Sequence, residues 1–300
     1  MSQLAKRLAA TLLGLSLSSV AMGQSCYTGT IGLLPIELML EDGGANQSVQ
    51  QQGMYVYTKF DTPIKVSGTL KHGALTLTER DSHGKATGTF TVAAFSANRA
   101  SYTGTWKNLA TGQQLPLVLT RRFDLWTSPM PGGPLELRQY ASLPSIYFQE
   151  VLAEDAETGN LAVSQVHLLE KKTDRLVQQF DVECERQGLT SITVGDYNLD
   201  SHPDFAVFEH GYAGPNTASL YFLYNPATKR FEESGFEGIS LEFDAAKKRI
   251  YERNSCCAGT SVTTAVYKLV KNEMVPLETH CYRWSEKKKR LVERPASECQ

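Results

Sequence analysis

Asp196, Asn198 and Asp200 occupy alternate positions of one short segment, and Asp204 follows them, giving the pattern D-x-N-x-D-x-x-x-D. A hard divalent cation such as Ca²⁺ takes six to eight oxygen ligands. In a tight loop, alternate side chains turn toward a common centre. The three side chains supply oxygens from one side, and the His202 carbonyl and the Asp204 carboxylate would close the shell. Without a cation, the converging carboxylates would repel one another. The spacing is not that of an EF-hand, because the sixth position is Ser201 rather than glycine and the twelfth is Val207 rather than glutamate. The flanks Ile192-Thr-Val194 and Phe205-Ala-Val-Phe208 are strand-like, so the loop is expected to join two strands and to hold its ion structurally.

The segment after that loop, Glu209-His210-Gly-Tyr212-Ala-Gly-Pro-Asn216-Thr217, is rich in glycine and partly aromatic. Loops on rigid scaffolds commonly carry binding function. The segment is therefore a candidate binding loop, and His210 reads as a binding or structural residue, since spacing offers it no nucleophile to activate. No catalytic residue is assigned and no enzyme is expected. H-E-x-x-H, G-x-S-x-G, the phosphate-binding G-x-x-x-x-G-K-[ST] and a G-x-G-x-x-G after a strand are all missing from the sequence.

The surrounding elements read as all-β. Ile36–Leu40, Met54–Tyr57, Ile64–Val66, Ala74–Glu79, Gly88–Val92 and Leu115–Thr120 alternate apolar and polar residues, with turns at His72-Gly73 and His83-Gly84. Residues 24–126 are expected to form an antiparallel barrel or sandwich with Trp106 in its core. Residues 127–139 begin Thr-Ser-Pro-Met-Pro-Gly-Gly-Pro and read as a linker. Residues 140–300 show a weak repeat: Thr173-Asp-Arg-Leu176, Thr228-Lys-Arg-Phe231, Lys247-Lys-Arg-Ile250 and Lys289-Arg-Leu291 each place a basic turn before a strand. Repeated hairpins of this form predict a small β-propeller-like domain. Lys287-Lys-Lys-Arg290 falls in one such turn and reads as a solvated turn rather than a nucleic-acid patch. Ser145–Asp155 is a short helix candidate or a strand.

The chain opens with Lys6 and Arg7, an apolar stretch from Leu8 to Val20, and small residues at Ala21 and Gly23. That order predicts a cleavable signal peptide over residues 1–23 and a periplasmic protein. The apolar stretch is too short to span a bilayer, and no transmembrane segment is expected. Gly23 stands where a lipobox before Cys26 would need leucine, which argues against a lipid anchor. A formal net charge of −2 gives no reason to expect nucleic acid. Cys26, Cys184, Cys256, Cys257, Cys281 and Cys299 all follow the expected cleavage site. An even number in an exported chain makes all six disulfide candidates, although sequence alone does not choose the pairing. Neighbours on a strand face opposite ways, so Cys256 and Cys257 are expected to bond to different partners.

Val194–Phe208 resembles the calcium loop of FG-GAP and VCBS-type propeller repeats. Together with Gly211–Pro215, with Leu220-Tyr-Phe-Leu-Tyr-Asn225 and its Lys-Arg-Phe turn, and with Cys256-Cys257, it resembles a more specific family. These are the periplasmic propeller-like immunity proteins against secreted peptidoglycan hydrolases, related in fold to inhibitors of invertebrate-type lysozymes. The resemblance covers roughly residues 145–285 and implies a calcium-stabilised β domain that plugs the cleft of a muramidase-like enzyme. The Ser-Gly-x-x-x-Tyr insertion loop of the lysozyme inhibitors is absent, since Ser67-Gly68 and Ser234-Gly235 lack the tyrosine. That leaves the segment around His210, Tyr212 and Asn216 as the expected contact surface. The competing readings are a calcium-dependent envelope or carbohydrate-binding module without an enzyme target, and a hydrolase.

Overall fold

The alternating runs of the first third fold into eight antiparallel strands: β1 (Gly23–Ile31), β2 (Leu34–Asp42), β3 (Ser48–Tyr57), β4 (Ile64–Lys71), β5 (Ala74–Arg80), β6 (Ala86–Val92), β7 (Ser101–Asn108) and β8 (Gln114–Asp124). The structure is a computed structural model that describes residues 23–42, 48–96, 99–125, 135–156, 158–212 and 214–299. β1 pairs with both β2 and β8, so the sheet closes into a barrel rather than a sandwich. Closure removes both exposed edges. The inward set includes Leu38, Tyr55, Leu75, Leu77, Phe90, Trp106 and Leu117. Trp106 lies in that core, and its Nε1 donates to Glu79 Oε2 at 3.3 Å. His72 and Gly73 both take positive φ, 49° and 77°, as a two-residue hairpin turn requires. A β-carbon on Gly68 would collide with the Thr76 carbonyl oxygen, so only glycine lets these two strands approach there.

The expected signal peptide lies outside the described residues apart from Gly23, which opens β1. The expected linker is corrected at its far end. Residues 127–134 lie outside the described residues, but Leu135–Ser142 is a strand, β9, with Leu135 and Leu137 buried. Its apolar residues pack in a cluster with Cys26, Met39, Met54 and Phe123 from the outer face of the barrel. Apolar burial thus pulls the chain into regular pairing sooner than the run of prolines suggests.

Three antiparallel sheets follow. The first joins β9 to β10 (Ile146–Glu154), β11 (Leu161–Glu170) and β12 (Leu176–Glu185). The second joins β13 (Ile192–Gly195), β14 (Asp204–Gly211), β15 (Thr217–Asn225) and β16 (Arg230–Glu233). The third joins β17 (Glu242–Asp244), β18 (Arg249–Cys256), β19 (Ser261–Val270), β20 (Glu273–Ser285) and β21 (Arg290–Arg294). Ser145–Asp155 is therefore largely strand. Phe148, Phe205 and Phe222 link the first two sheets, with successive ring centroids 5.0 and 4.6 Å apart. The four basic turns each close a hairpin, and the residue before each arginine or Arg-Leu pair has a common conformation. Asp174, Lys229, Lys248 and Lys289 lie at φ 53°, 56°, 53° and 50°. The repeat thus records a left-handed turn residue that is tolerated at an exposed hairpin end.

An ionic cluster lies where β9 meets the barrel. Arg138 Nε is 3.1 Å from Glu37 Oε2, and its Nη1 is 3.2 Å from Asp61 Oδ1. The guanidinium also stacks on Tyr147, 3.7 Å from the ring centroid. Lys172 N–H donates to Asp61 Oδ2 at 2.7 Å. Burial raises the Asp61 carboxyl above its ordinary value, with the Lys172 N–H and Arg138 acting in the opposite direction.

Glu150 is fully buried, and Gln139 Nε2 donates to its Oε2 at 2.9 Å. Burial lifts its carboxyl to about 8, outweighing Ser191 and Arg186. The folded state therefore holds a proton that the unfolded chain releases near the ordinary carboxylate value of 4.5. This contribution is complete below that value and is lost as pH rises through about 8. Urea midpoints should fall between about pH 5 and pH 8.5, and Glu150→Gln should flatten that part of the decline.

The cysteines depart from expectation. Cys281 bonds to Cys299, but Cys256 bonds to its neighbour Cys257. Cys256 ends β18, and Cys257 leaves the strand at φ 60°, so strand alternation no longer separates the two side chains. Cys26 and Cys184 are free and buried, which corrects their standing as disulfide candidates. Cys26 donates to Glu37 Oε1 at 3.4 Å. Burial, followed by the carboxylates of Glu150, Glu209 and Glu233, pushes the Cys184 thiol up to about 12.

Candidate calcium loop and contact loop

β13 and β14 pair from Ile192↔Val207 to Gly195↔Asp204, so residues 196–203 are the loop of a hairpin, as the strand-like flanks predict. Two non-glycine residues in it are left-handed, Leu199 at φ 62° and Ser201 at φ 73°. Ser201 thus takes the left-handed backbone that glycine favours. These bends bring Asp196, Asn198 and Asp200 together. Asp200 N–H is shared by Asp196 Oδ1 at 2.9 Å and Asn198 Oδ1 at 3.2 Å. Ser201 N–H donates to Asp196 Oδ2 at 3.0 Å, and Asn198 Nδ2 donates to Asp200 Oδ2 at 2.9 Å. His202 donates its backbone N–H to Asp200 Oδ1 at 2.8 Å, and its ring nitrogen Nδ1 lies 3.1 Å from the same oxygen. Burial acts to raise the Asp200 carboxyl, but the bonds from His202 and Asn198 outweigh it and hold the group below its usual range.

Asp204 differs from the other acids. Its side chain is wholly buried at the start of β14. Oδ2 accepts the N–H groups of Tyr197 at 2.8 Å and Asn198 at 3.2 Å, and Oδ1 accepts Tyr224 N–H at 2.8 Å. Burial raises its carboxyl above the ordinary value despite these three bonds, and Asp200 adds to the rise. Asp204 therefore clamps the loop to β15. Among the described residues, no group of three or more His, Cys, Asp and Glu side chains is arranged to hold a metal. The donor chemistry nonetheless suits a hard cation. The donors are oxygens, and each carboxylate oxygen that accepts one N–H keeps a second lone pair.

The three expected partner-binding residues separate into two kinds. Tyr212 is 45% exposed, with its ring edge against His210 at 4.4 Å between centroids. His210 Nδ1 lies 3.9 Å from Glu209 Oε1. Asn216 is only 7% exposed and is corrected from contact residue to anchor. Its Oδ1 accepts Ser255 N–H at 3.0 Å, and its Nδ2 donates to Asn254 Oδ1 at 3.0 Å and the Ser255 carbonyl at 2.9 Å. At the other end of the loop, Gly211 N–H donates to Glu185 Oε2 at 3.1 Å. Beside it runs a groove of about 1140 Å³ whose lining includes Glu154, Asp155, Glu183, Glu185, Glu209 and His210.

No family model matches this chain. No curated protein matches it either. Among solved structures, a Xanthomonas type IV secretion system related protein is similar with a TM-score of 0.35 and 14% identity, over 56% of this chain and 97% of that one. At that level neither fold nor function transfers.

Three positioning residues have no sequence signal. Tyr197 packs its ring 5.1 Å from Tyr221 and 4.9 Å from Phe243, and its hydroxyl meets Thr193 Oγ1 at 2.8 Å. Glu185 and Asn254 reach the contact loop from strands far away in sequence. Long-range pairing of single polar residues leaves no periodic trace.

Proposed function

We propose that this chain is an exported, calcium-stabilised binding protein that inhibits a lysozyme-like peptidoglycan hydrolase and so acts as an immunity protein. The resemblance carried by Val194–Phe208, Gly211–Pro215 and Cys256-Cys257 supports the target class. The observation that carries the binding reading is the contact loop itself. Tyr212 projects into solvent from a segment fixed at both ends, by Glu185 on Gly211 and by Asn216 on β18. A pre-ordered aromatic on a short loop loses little freedom on binding, so more of its contact energy appears as affinity. The neighbouring acidic groove would favour approach by a basic face of the partner. In this reading the sheets of four, four and five strands are the blades of a small propeller-like domain, and the periplasm is the place of action.

Ca²⁺ would sit on Asp196, Asn198 and Asp200, with the His202 carbonyl and the one lone pair left on Asp204 Oδ1 completing the shell. Its role is structural, holding the β13–β14 loop against self-repulsion. Thermal melting in EDTA and then in excess Ca²⁺ tests this. At a hundredfold excess over its dissociation constant, the ion should add about 2.7 kcal/mol of stability. Asp196→Ala should abolish the Ca²⁺-dependent rise. A midpoint indifferent to Ca²⁺ in the unmodified protein would remove the ion from the account. For the partner, immobilised protein should retain a purified invertebrate-type lysozyme in Ca²⁺ and release it in EDTA. Tyr212→Ala should weaken retention at least about tenfold, the scale of a lost aromatic anchor. Equal retention by that variant would displace the contact loop.

A further inference from the structure

We propose that Cys256–Cys257 is a thiol–disulfide exchange site that takes a dithiol as reductant, and that opening its ring is transmitted to the His210–Tyr212 loop through Asn216.

The two disulfides have different physical roles. Cys281–Cys299 spans a sequence separation of 18, with Cys281 buried. A bond of that span restricts the unfolded chain and so stabilises the fold. Cys256–Cys257 joins adjacent residues and closes no chain loop beyond its own ring. It contributes almost nothing by that route, so its value must lie in the conformation it imposes. Both of its residues are exposed at the β18–β19 turn, and accessible disulfides are the ones that exchange.

The imposed conformation is unusual. Cys257, Ala258 and Gly259 are left-handed in succession, at φ 60°, 54° and 80°. Cys257 and Ala258 carry β-carbons, for which this region is disfavoured. Such backbone persists where its surroundings over-determine it, and it gathers at ligand clamps and switches. The adjacent-cysteine ring is one constraint here, beside the Thr260 hydroxyl and N–H, which donate to the Cys257 carbonyl at 2.7 and 3.2 Å. Immediately before it, Asn254 and Ser255 make the three hydrogen bonds to Asn216 described above. Asn216 in turn accepts Tyr212 N–H on its carbonyl at 3.0 Å. On the far side of the turn, Trp284 N–H donates to the Thr260 carbonyl at 2.7 Å. A change of backbone at Cys257 therefore acts on Ser255, then Asn216, then the loop that carries Tyr212.

The chemistry balances. A thiolate of the dithiol attacks one sulfur of the pair, breaking the Cys256–Cys257 bond and forming a mixed disulfide. The second thiol of the reductant resolves it. Two electrons and two protons pass to the protein, leaving two cysteine thiols, and the reductant leaves as its own disulfide. Cys257 and Ala258 are then free to relax to negative φ. The consequence for partner binding rests on the contact-loop reading above, but the test below uses no partner, so the two can fail separately.

The test titrates the oxidised protein with dithiothreitol, alkylates at each step, maps the adducts and follows amide hydrogen exchange over residues 209–217. Adducts should appear at Cys256 and Cys257 before Cys281 or Cys299, and exchange at 209–217 should then rise at least about tenfold. Cys256→Ser combined with Cys257→Ser should show the fast exchange without reductant. In Asn216→Ala the loop should exchange fast in both redox states. Earlier opening of Cys281–Cys299, or an open Cys256–Cys257 ring with unchanged exchange at 209–217, would overturn the proposal. A persisting redox response in Asn216→Ala would overturn the route through Asn216.

Discussion

Replacing Arg138 by alanine should cost the fold about 3 kcal/mol, because it takes a guanidinium from two buried carboxylates, of which only Glu37 keeps another. Glu37 and Asp61 belong to the barrel, and Arg138 belongs to β9. Each carboxylate is nearly or wholly inaccessible. Arg122 still reaches Glu37, at 3.0 Å, and Lys172 N–H still reaches Asp61, so the loss is partial at each. Arg138→Lys should cost less, since it keeps a charge but gives up the planar fork and the stacking on Tyr147. Urea denaturation checks both variants. A midpoint for Arg138→Ala within error of the unmodified protein would show that the barrel and the later sheets do not depend on this cluster. Because Arg138 ties the two parts together, a second transition appearing in the variant would be the direct sign that they had uncoupled.

Asp204→Ala is the second large effect. It removes the acceptor of three backbone N–H groups, those of Tyr197, Asn198 and Tyr224. Each buried donor left unpaired costs about 1–3 kcal/mol, so the sum reaches at least about 3 kcal/mol if water does not enter. Asp204→Asn keeps one acceptor oxygen and should fall between. The contrast with Asp196 is informative. Asp196 receives its N–H bonds in an exposed loop, so Asp196→Ala in EDTA should cost well under the Asp204 value. Similar losses for both in EDTA would contradict the assignment of Asp204 as the clamp.

The barrel was largely legible because half of each strand faces a closed core and the other half faces outward. Ile36–Leu40, Ile64–Val66 and Leu115–Thr120 fall within β2, β4 and β8. Closure itself was not legible, since it depends on β1 pairing with β8, nearly a hundred residues away in sequence. The basic turns marked hairpins correctly because each needs a left-handed residue at the same place. The expected linker ends early because Leu135 and Leu137 are recruited by the outer wall of the barrel, which no local pattern announces. For the loop after β14, residue type pointed to the right segment but not to the division of roles. Asparagine suits a contact surface and an anchor equally well, and only Asn254 and Ser255, brought up by β18, decide for the anchor. Cysteine parity misled in a similar way. It counts residues, whereas pairing depended on Cys257 turning out of its strand.

The most direct test of the proposed function is the rate at which a panel of muramidases, including invertebrate-type lysozymes, clears a peptidoglycan suspension with this protein added in Ca²⁺. The account predicts that at least one enzyme is inhibited near one-to-one stoichiometry, and that Tyr212→Ala weakens the inhibition at least about tenfold. Undiminished clearing by every enzyme in the panel at a large molar excess of folded protein would contradict it.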